Sequence, residues 1–396
     1  MTKIEIVDAA FRVWGRNLYR KTSLSQLAGE LGVSKPALYR HYRNKQALID
    51  AMTERFLEDF SGSTRADFEK AQKTEDADEG ISAIIKSISG FFARNVYALV
   101  FSLINLYDRN LDGKAIAQRL KSYGVDIAVL QQIIEKKYES EPKMVRLVFA
   151  TLTFLMSNFH RTKKSMLNPP AEEDIQTILN TIYNTIAFGL RFSSKKTALD
   201  FEVMEKQVYE MPLNAKPEPF FKAVAEAVAE AGPWDVSMEM VAKRLGLSKS
   251  SLYGHFKNRK DMLRRLFVTE FKRIIEFARQ GIGLSSDTEG QLYRGIFSIA
   301  VYLRSRPEIL VAMDWIRTRK LDFGKHDKNI EIYRLFEDVD IKALHNSTEE
   351  DRQRISHWIL FLLINILLHP NQEKTQNNDI RLLYNFITLG LGGFVR

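Results

Sequence analysis

Apolar residues recur along the chain at helical spacing, and nowhere do they alternate with polar ones for long. From Ile4 to Asn17 the residues Val7, Ala10, Phe11 and Trp14 form one stripe, the pattern of an amphipathic helix. Longer apolar segments run from Pro142 to His160, from Glu172 to Phe192, and over 351–369 and 379–395. No stretch shows the two-residue period of a strand bounded by hairpin turns, so the chain is predicted to be all-α.

Punctuation between these segments is informative near the N-terminus. Ser23, with Gln26 three residues on, is a capping box for a second helix that buries Leu24, Leu27, Ala28 and Leu31. Gly32 follows where the chain needs a left-handed turn. Ser34 caps a short helix over 35–41, and Pro36 sits in its first turn, where no N–H is missed. Asn44 caps a fourth helix. Two short helices joined by a tight glycine turn make a helix-turn-helix, whose second helix enters the major groove of DNA. Leu38 and Tyr42 are expected to face inward. Lys35, Pro36, Ala37, Tyr39, Arg40 and His41 are left outside, with Lys45 at the start of the next helix. Lysine and tyrosine suit phosphate contacts, and Arg40 can pair bidentately with guanine.

The same module recurs. Shifted by 214 positions, LSQLAGELGVSKPALYRHYRNKQAL (24–48) lies over MEMVAKRLGLSKSSLYGHFKNRKDM (238–262) without a gap, nine of 25 positions being identical. A long-period match of two copies points to duplication of a whole module. Charge follows the repeat. Residues 1–50 hold nine Lys/Arg against four acids, and 215–264 hold nine against six; the other 296 residues hold 40 against 39. The net charge of +9 is therefore concentrated in two windows, the footprint of a polyanion partner.

Other chemistry finds little support. The absence of cysteine excludes disulfides and thiolate sites. There is no HExxH pair, P-loop, GxSxG or GxGxxG, and five of the seven histidines (160, 326, 345, 357, 369) lack ligand spacing. Neither an enzyme nor a bound cofactor or metal is expected. The N-terminus lacks a secretory pattern. The most apolar run, Trp358 to Leu368, is too short for a bilayer span, which takes about 20 residues. A cytoplasmic protein without a membrane partner is expected.

The S-K-x-x-L-Y-x-H-[FY]-x-N-[KR] run in both windows resembles the DNA-binding head of the TetR family of bacterial transcriptional regulators. The resemblance is specific for about 46 residues in each half. It implies a three-helix head, a helical body holding an effector cavity, and a dimer bundle built from the last two helices. By position, it implies that Ser23 and Ser237 bond phosphate. Lys35, Tyr39, His41 and Lys45, with Lys249, Tyr253, His255 and Arg259, would line the DNA backbone. Pro36, Ala37 and Arg40, with Ser250, Ser251 and Gly254, would face base edges. The family pairs two identical chains, whereas this chain holds two halves, so an intramolecular pseudo-dimer is the expected form; further self-association is left open. The expected domains are a first head (1–50), a first body (51–194), a linker (195–214) in which Thr197 to Met211 can form a short helix, a second head (215–264) and a second body (265–396).

Two expectations concern what the protein recognises. Arg40 in the first head is replaced by Gly254 in the second, so the double-stranded operator is expected to be non-palindromic, one half depending on Arg40 and the other read more weakly by hydroxyls. Aromatic residues in the bodies, Phe91, Phe92, Tyr97, Phe101 and Tyr107 in the first and Tyr293, Phe297, Tyr302 and Trp315 in the second, are candidates to line a pocket for a hydrophobic or aromatic small-molecule effector. Ordinary core packing is the competing reading of the same residues. The function expected is a ligand-responsive regulator, with repression as its sign. The alternative is a DNA-bound architectural or protein-interaction protein that uses the fold without an effector.

Overall fold

The computed structural model describes residues 2–16, 19, 23–106, 113–138, 143–190, 199–213, 219–319, 335–336, 339–340, 349–368 and 376–394. Every regular element among them is helical. The chain divides into two compact units, one over 1–187 with 394–396 and one over 188–393.

Side-chain caps set four of the helix starts described in the first unit. Helices α1 (Lys3–Arg16), α2 (Leu24–Glu30) and α3 (Lys35–His41) form a head, and α4 (Lys45–Lys73) leads into the body. The body continues with α5 (Ala77–Arg94), α6 (Val96–Phe101), α7 (Gly113–Ser122), α8 (Ala128–Tyr138), α9 (Lys143–Thr162) and α10 (Glu172–Phe188). Asp76 starts α5 by accepting from Asp78 N and Glu79 N. Helix α4 packs along α5, which also meets α8 and α9.

The heart of this body is aromatic. Phe56 and Phe60 on α4 meet Phe91 and Phe92 on α5, with ring centroids 5.2–6.4 Å apart. Phe101, fully buried on α6, contacts Phe56 and, on the head, Phe11 and Tyr19. The head is also pinned through Tyr97, which accepts from Arg16 Nε at 3.4 Å and donates to Met166 O at 3.1 Å.

The second unit opens with α11 (Phe201–Tyr209), inside the segment expected to be a linker. A second head follows: α12 (Pro219–Asp235), broken at Gly232 (φ 79°), α13 (Met238–Leu245) and α14 (Lys249–His255). The body comprises α15 (Arg259–Ile282), α16 (Thr288–Arg304), α17 (Pro307–Arg319), α18 (Glu349–Leu368) and α19 (Gln376–Leu389), ending in a 3₁₀ turn over Gly390–Phe394. Helix α15 packs on α16, α17 packs on α12 of the head, and α18 and α19 pack on α16. Residues 214–218, where the expected linker meets the second head, lie outside the described residues.

Among the described residues this unit buries three carboxylates, Glu205, Glu270 and Asp379. Glu205 on α11 accepts from Tyr293 Oη at 2.6 Å, Asn377 Nδ2 at 2.9 Å and both Arg381 Nε and Nη2 at 2.7 and 3.0 Å. Phe201 and Tyr209 on the same helix pack on Tyr293 and Phe297. Helix α11 is thus an integrated part of the unit, held by an ion pair and ring contacts. Glu270, fully buried on α15, accepts from Tyr302 Oη at 2.7 Å and from Arg273 and Arg306 at 3.3 Å. The shift that superposes the heads lays Phe56 over Glu270. Counted from the caps Asp76 and Asp287, Phe91 and Tyr302 also correspond. A hydrogen-bonded Glu–Tyr pair in the second body therefore stands where the first has two phenyl rings packed edge to face.

Candidate nucleic-acid interface

Each head builds its recognition helix from the same local devices. In the first, Ser23 Oγ accepts from Gln26 N at 3.0 Å and starts α2. Gly32 takes φ 64°, and Val33 N returns to Ala28 O at 3.0 Å, which closes the turn. Ser34 Oγ accepts from Ala37 N at 3.3 Å, starting α3 on Pro36. Leu27 and Leu38 are fully buried, so the two helices are locked by apolar packing. Tyr42 is buried too, its hydroxyl donating to Lys3 O and its pKa raised by burial. Asn44 Oδ1 then accepts from Ala47 N at 2.8 Å to begin α4.

The second head repeats this geometry. Ser237 Oγ accepts from Met240 N at 3.2 Å, Gly246 takes φ 65°, and Ser248 Oγ accepts from Ser251 N at 3.1 Å. Leu252 and Phe256 fill the inner positions. Asn258 caps α15 by accepting from Asp261 N, and Asp261 Oδ2 accepts from Lys257 N just before the cap. Burial pushes the Asp261 carboxyl up, but this backbone bond and Arg265 hold it below the usual range.

The structure gathers the expected DNA-facing residues on one outer face per head. Lys35, Pro36, Tyr39 and Arg40 are exposed on α3, with Ala37 and His41 half-buried, and Ser23 and Lys45 are exposed at the starts of α2 and α4. Lys249, Ser250, Ser251, Tyr253 and His255 are exposed on α14, Ser237 is half-buried and Arg259 is exposed at the start of α15. Tyr39 and Tyr253 are each 48% exposed, an equal display of an aromatic hydroxyl at the same helix position. The heads differ in detail. His255 stacks near Phe220, with centroids 4.4 Å apart, and Lys249 lies 3.9 Å from Glu239. Ser248 Oγ also joins both Ser250 Oγ, at 2.8 Å, and Ser251 Oγ, at 3.0 Å. Sequence reasoning missed this hydroxyl hub and the acid beside Lys249; the SKSS run was the available signal for the hub.

The aromatic residues considered for an effector pocket lie among other side chains. Phe91, Phe101, Phe297 and Tyr302 are buried against the rings and carboxylate named above, and Tyr97 is half-buried. Tyr107 lies outside the described residues, as does the side chain of Trp315 on α17. Among the described residues no three His, Asp or Glu side chains come together to hold a metal, and no single helix is long and apolar enough to cross a membrane.

Two helix-turn-helix heads, each with its second helix turned outward, define a DNA-binding regulator. Residues 6–52 and 221–266 each match the family described as bacterial regulatory proteins, tetR family. The chain thus carries that family's DNA-binding module twice, in tandem. It is 28% identical over 130 residues to the HTH-type transcriptional repressor ComR of Escherichia coli (strain K12). That match covers 32% of this chain and spans 61% of the relative's length. The crystal structure of the TetR family transcriptional regulator PfmR from Thermus thermophilus is 22% identical, with 46% of this chain and 96% of that chain covered and a TM-score of 0.35.

Proposed function

We propose that the protein is a transcriptional repressor that grips one operator with both heads of a single chain. The observation that carries this reading is the repetition, in each unit, of an outward recognition helix with capped, buried supports. The similarity to a curated repressor supports the sign of regulation. Lys35, Tyr39, His41, Lys45 and Ser23 contact phosphates beside α3, as Lys249, Tyr253, His255, Arg259 and Ser237 do beside α14. Pro36, Ala37 and Arg40 face bases in one half-site, and Ser250 and Ser251 face them in the other. The two halves form a pseudo-dimer through α9, α10, α18 and α19, placing the recognition helices about one DNA turn apart, roughly 34–36 Å. Because Arg40 has no counterpart in α14, the operator is asymmetric. A hydrophobic effector taken up by a body releases the DNA.

Selection of genomic fragments with the purified chain, followed by mass photometry of the complex, tests this. The expected result is one asymmetric site about two half-sites long, bound by one chain. A palindrome bound by two chains contradicts the pseudo-dimer and the asymmetric operator together.

A further inference from the structure

The two recognition helices are KPALYRH in α3 and KSSLYGH in α14. They differ at three positions, 36/250, 37/251 and 40/254. None of these is the buried Leu38 or Leu252 that holds the helix to its head, and all three residues of α14 are exposed. Packing therefore does not account for the divergence.

The outer face of α14 is unsuited to reading bases. A Cβ built at Gly254 meets nothing within 4 Å, and its backbone is not left-handed, so neither space nor strain requires glycine there. Glycine disfavours the helix it sits in, and here it leaves a bare backbone where α3 carries Arg40. The two hydroxyls that remain are already engaged, Ser250 and Ser251 both bonding the N-cap Ser248 at 2.8 and 3.0 Å. Each keeps capacity for a further bond, but a serine hydroxyl both donates and accepts, so it discriminates poorly between base edges. The phosphate-directed set is nonetheless complete, with lysine, tyrosine and histidine at the same helix positions as in α3. Phosphate contacts fix position and carry no sequence information directly.

We propose that the second head is a sequence-indifferent clamp, that α3 alone sets sequence preference, and that Gly254 is the position that keeps the clamp permissive. This rests on the DNA-binding role proposed above and sharpens it, since the second half-site is then held and not read.

The test is selection from randomised duplexes by the full chain, by Arg40→Gly, and by the triple variant Ser250→Pro, Ser251→Ala, Gly254→Arg, which makes α14 identical in sequence to α3. The wild-type chain is expected to enrich one conserved block. Removing the non-conserved turn of duplex on the side of the second head should weaken binding at least tenfold. Arg40→Gly should lose the block while keeping salt-sensitive affinity for any duplex. The triple variant should enrich a second copy of the block. Two different conserved blocks with the wild-type chain would overturn the clamp while leaving the DNA-binding role intact. So would full affinity for the shortened duplex. A wild-type chain that enriches and retains no duplex at all would instead remove the DNA-binding role itself. The wild-type measurements decide the matter even if the triple variant is poorly folded.

Discussion

Arg381 on α19 takes both carboxylate oxygens of Glu205 on α11, Nε at 2.7 Å and Nη2 at 3.0 Å, in a bidentate fork. The Glu205 side chain is 6% exposed and that of Arg381 25%, so the pair is shielded from water on one side. Replacing Arg381 by Ala leaves a buried carboxylate with only Tyr293 and Asn377 as donors. We expect a loss on the order of 2–3 kcal/mol, read as a lower denaturant midpoint for the second unit. Arg381→Lys should recover only part, because an ammonium cannot reproduce the fork.

The same carboxylate sets an acid limit. Burial would raise the Glu205 carboxyl, but hydrogen bonds from Arg381, Tyr293 and Asn377 hold it below the ordinary range. A folded value below the unfolded one, about 4.3, stabilises the fold above that pH, and the contribution is lost as pH falls through the folded value. Thermal melts between pH 6 and 3 should show the second unit losing stability below about pH 4. Glu205→Gln should lower stability at pH 6 and flatten the decline.

In the first body the corresponding vulnerability is apolar. Phe101 is fully buried and touches Phe11, Tyr19 and Phe56, joining head to body. Truncation to Ala should cost about 3–5 kcal/mol, measured by urea unfolding of the first unit. A loss below about 1 kcal/mol, the size expected where the site readily collapses or already holds a cavity, would contradict close packing there.

Caps give a finer comparison. Ser34→Ala and Ser248→Ala each remove an N-cap acceptor and should cost about 1 kcal/mol. Only Ser248→Ala also frees Ser250 and Ser251. Its duplex selections should gain a weak base preference under the second head, whereas Ser34→Ala should weaken binding without a new preference.

The heads were legible in the sequence because their determinants are local. Ser23, Gly32, Ser34 and Asn44 act within a few residues of themselves, and the 214-residue repeat doubled the signal. The bodies were less so. Glu205 finds its partners 88 and 176 residues away, and no spacing rule announces that. Its helix therefore read as linker. Tyr293 and Tyr302 read as aromatic pocket candidates, and nothing nearby in sequence shows their hydroxyls donating to buried carboxylates. Why the second body exchanges phenyl rings for a Glu–Tyr pair has no counterpart in any local pattern.

In the function proposed above, both heads grip the same duplex through its phosphates. The most direct measurement is the salt dependence of binding to a duplex of about 30 base pairs, some three turns at 10–10.5 per turn, for the wild-type chain, for Lys35→Ala/Lys45→Ala and for Lys249→Ala/Arg259→Ala. Each lost phosphate contact lowers the slope of log K against log salt by about 0.9. Both double variants should therefore show slopes reduced by about 1.8. A slope reduced by the first pair and unchanged by the second would contradict the account, because DNA binding would then belong to one head.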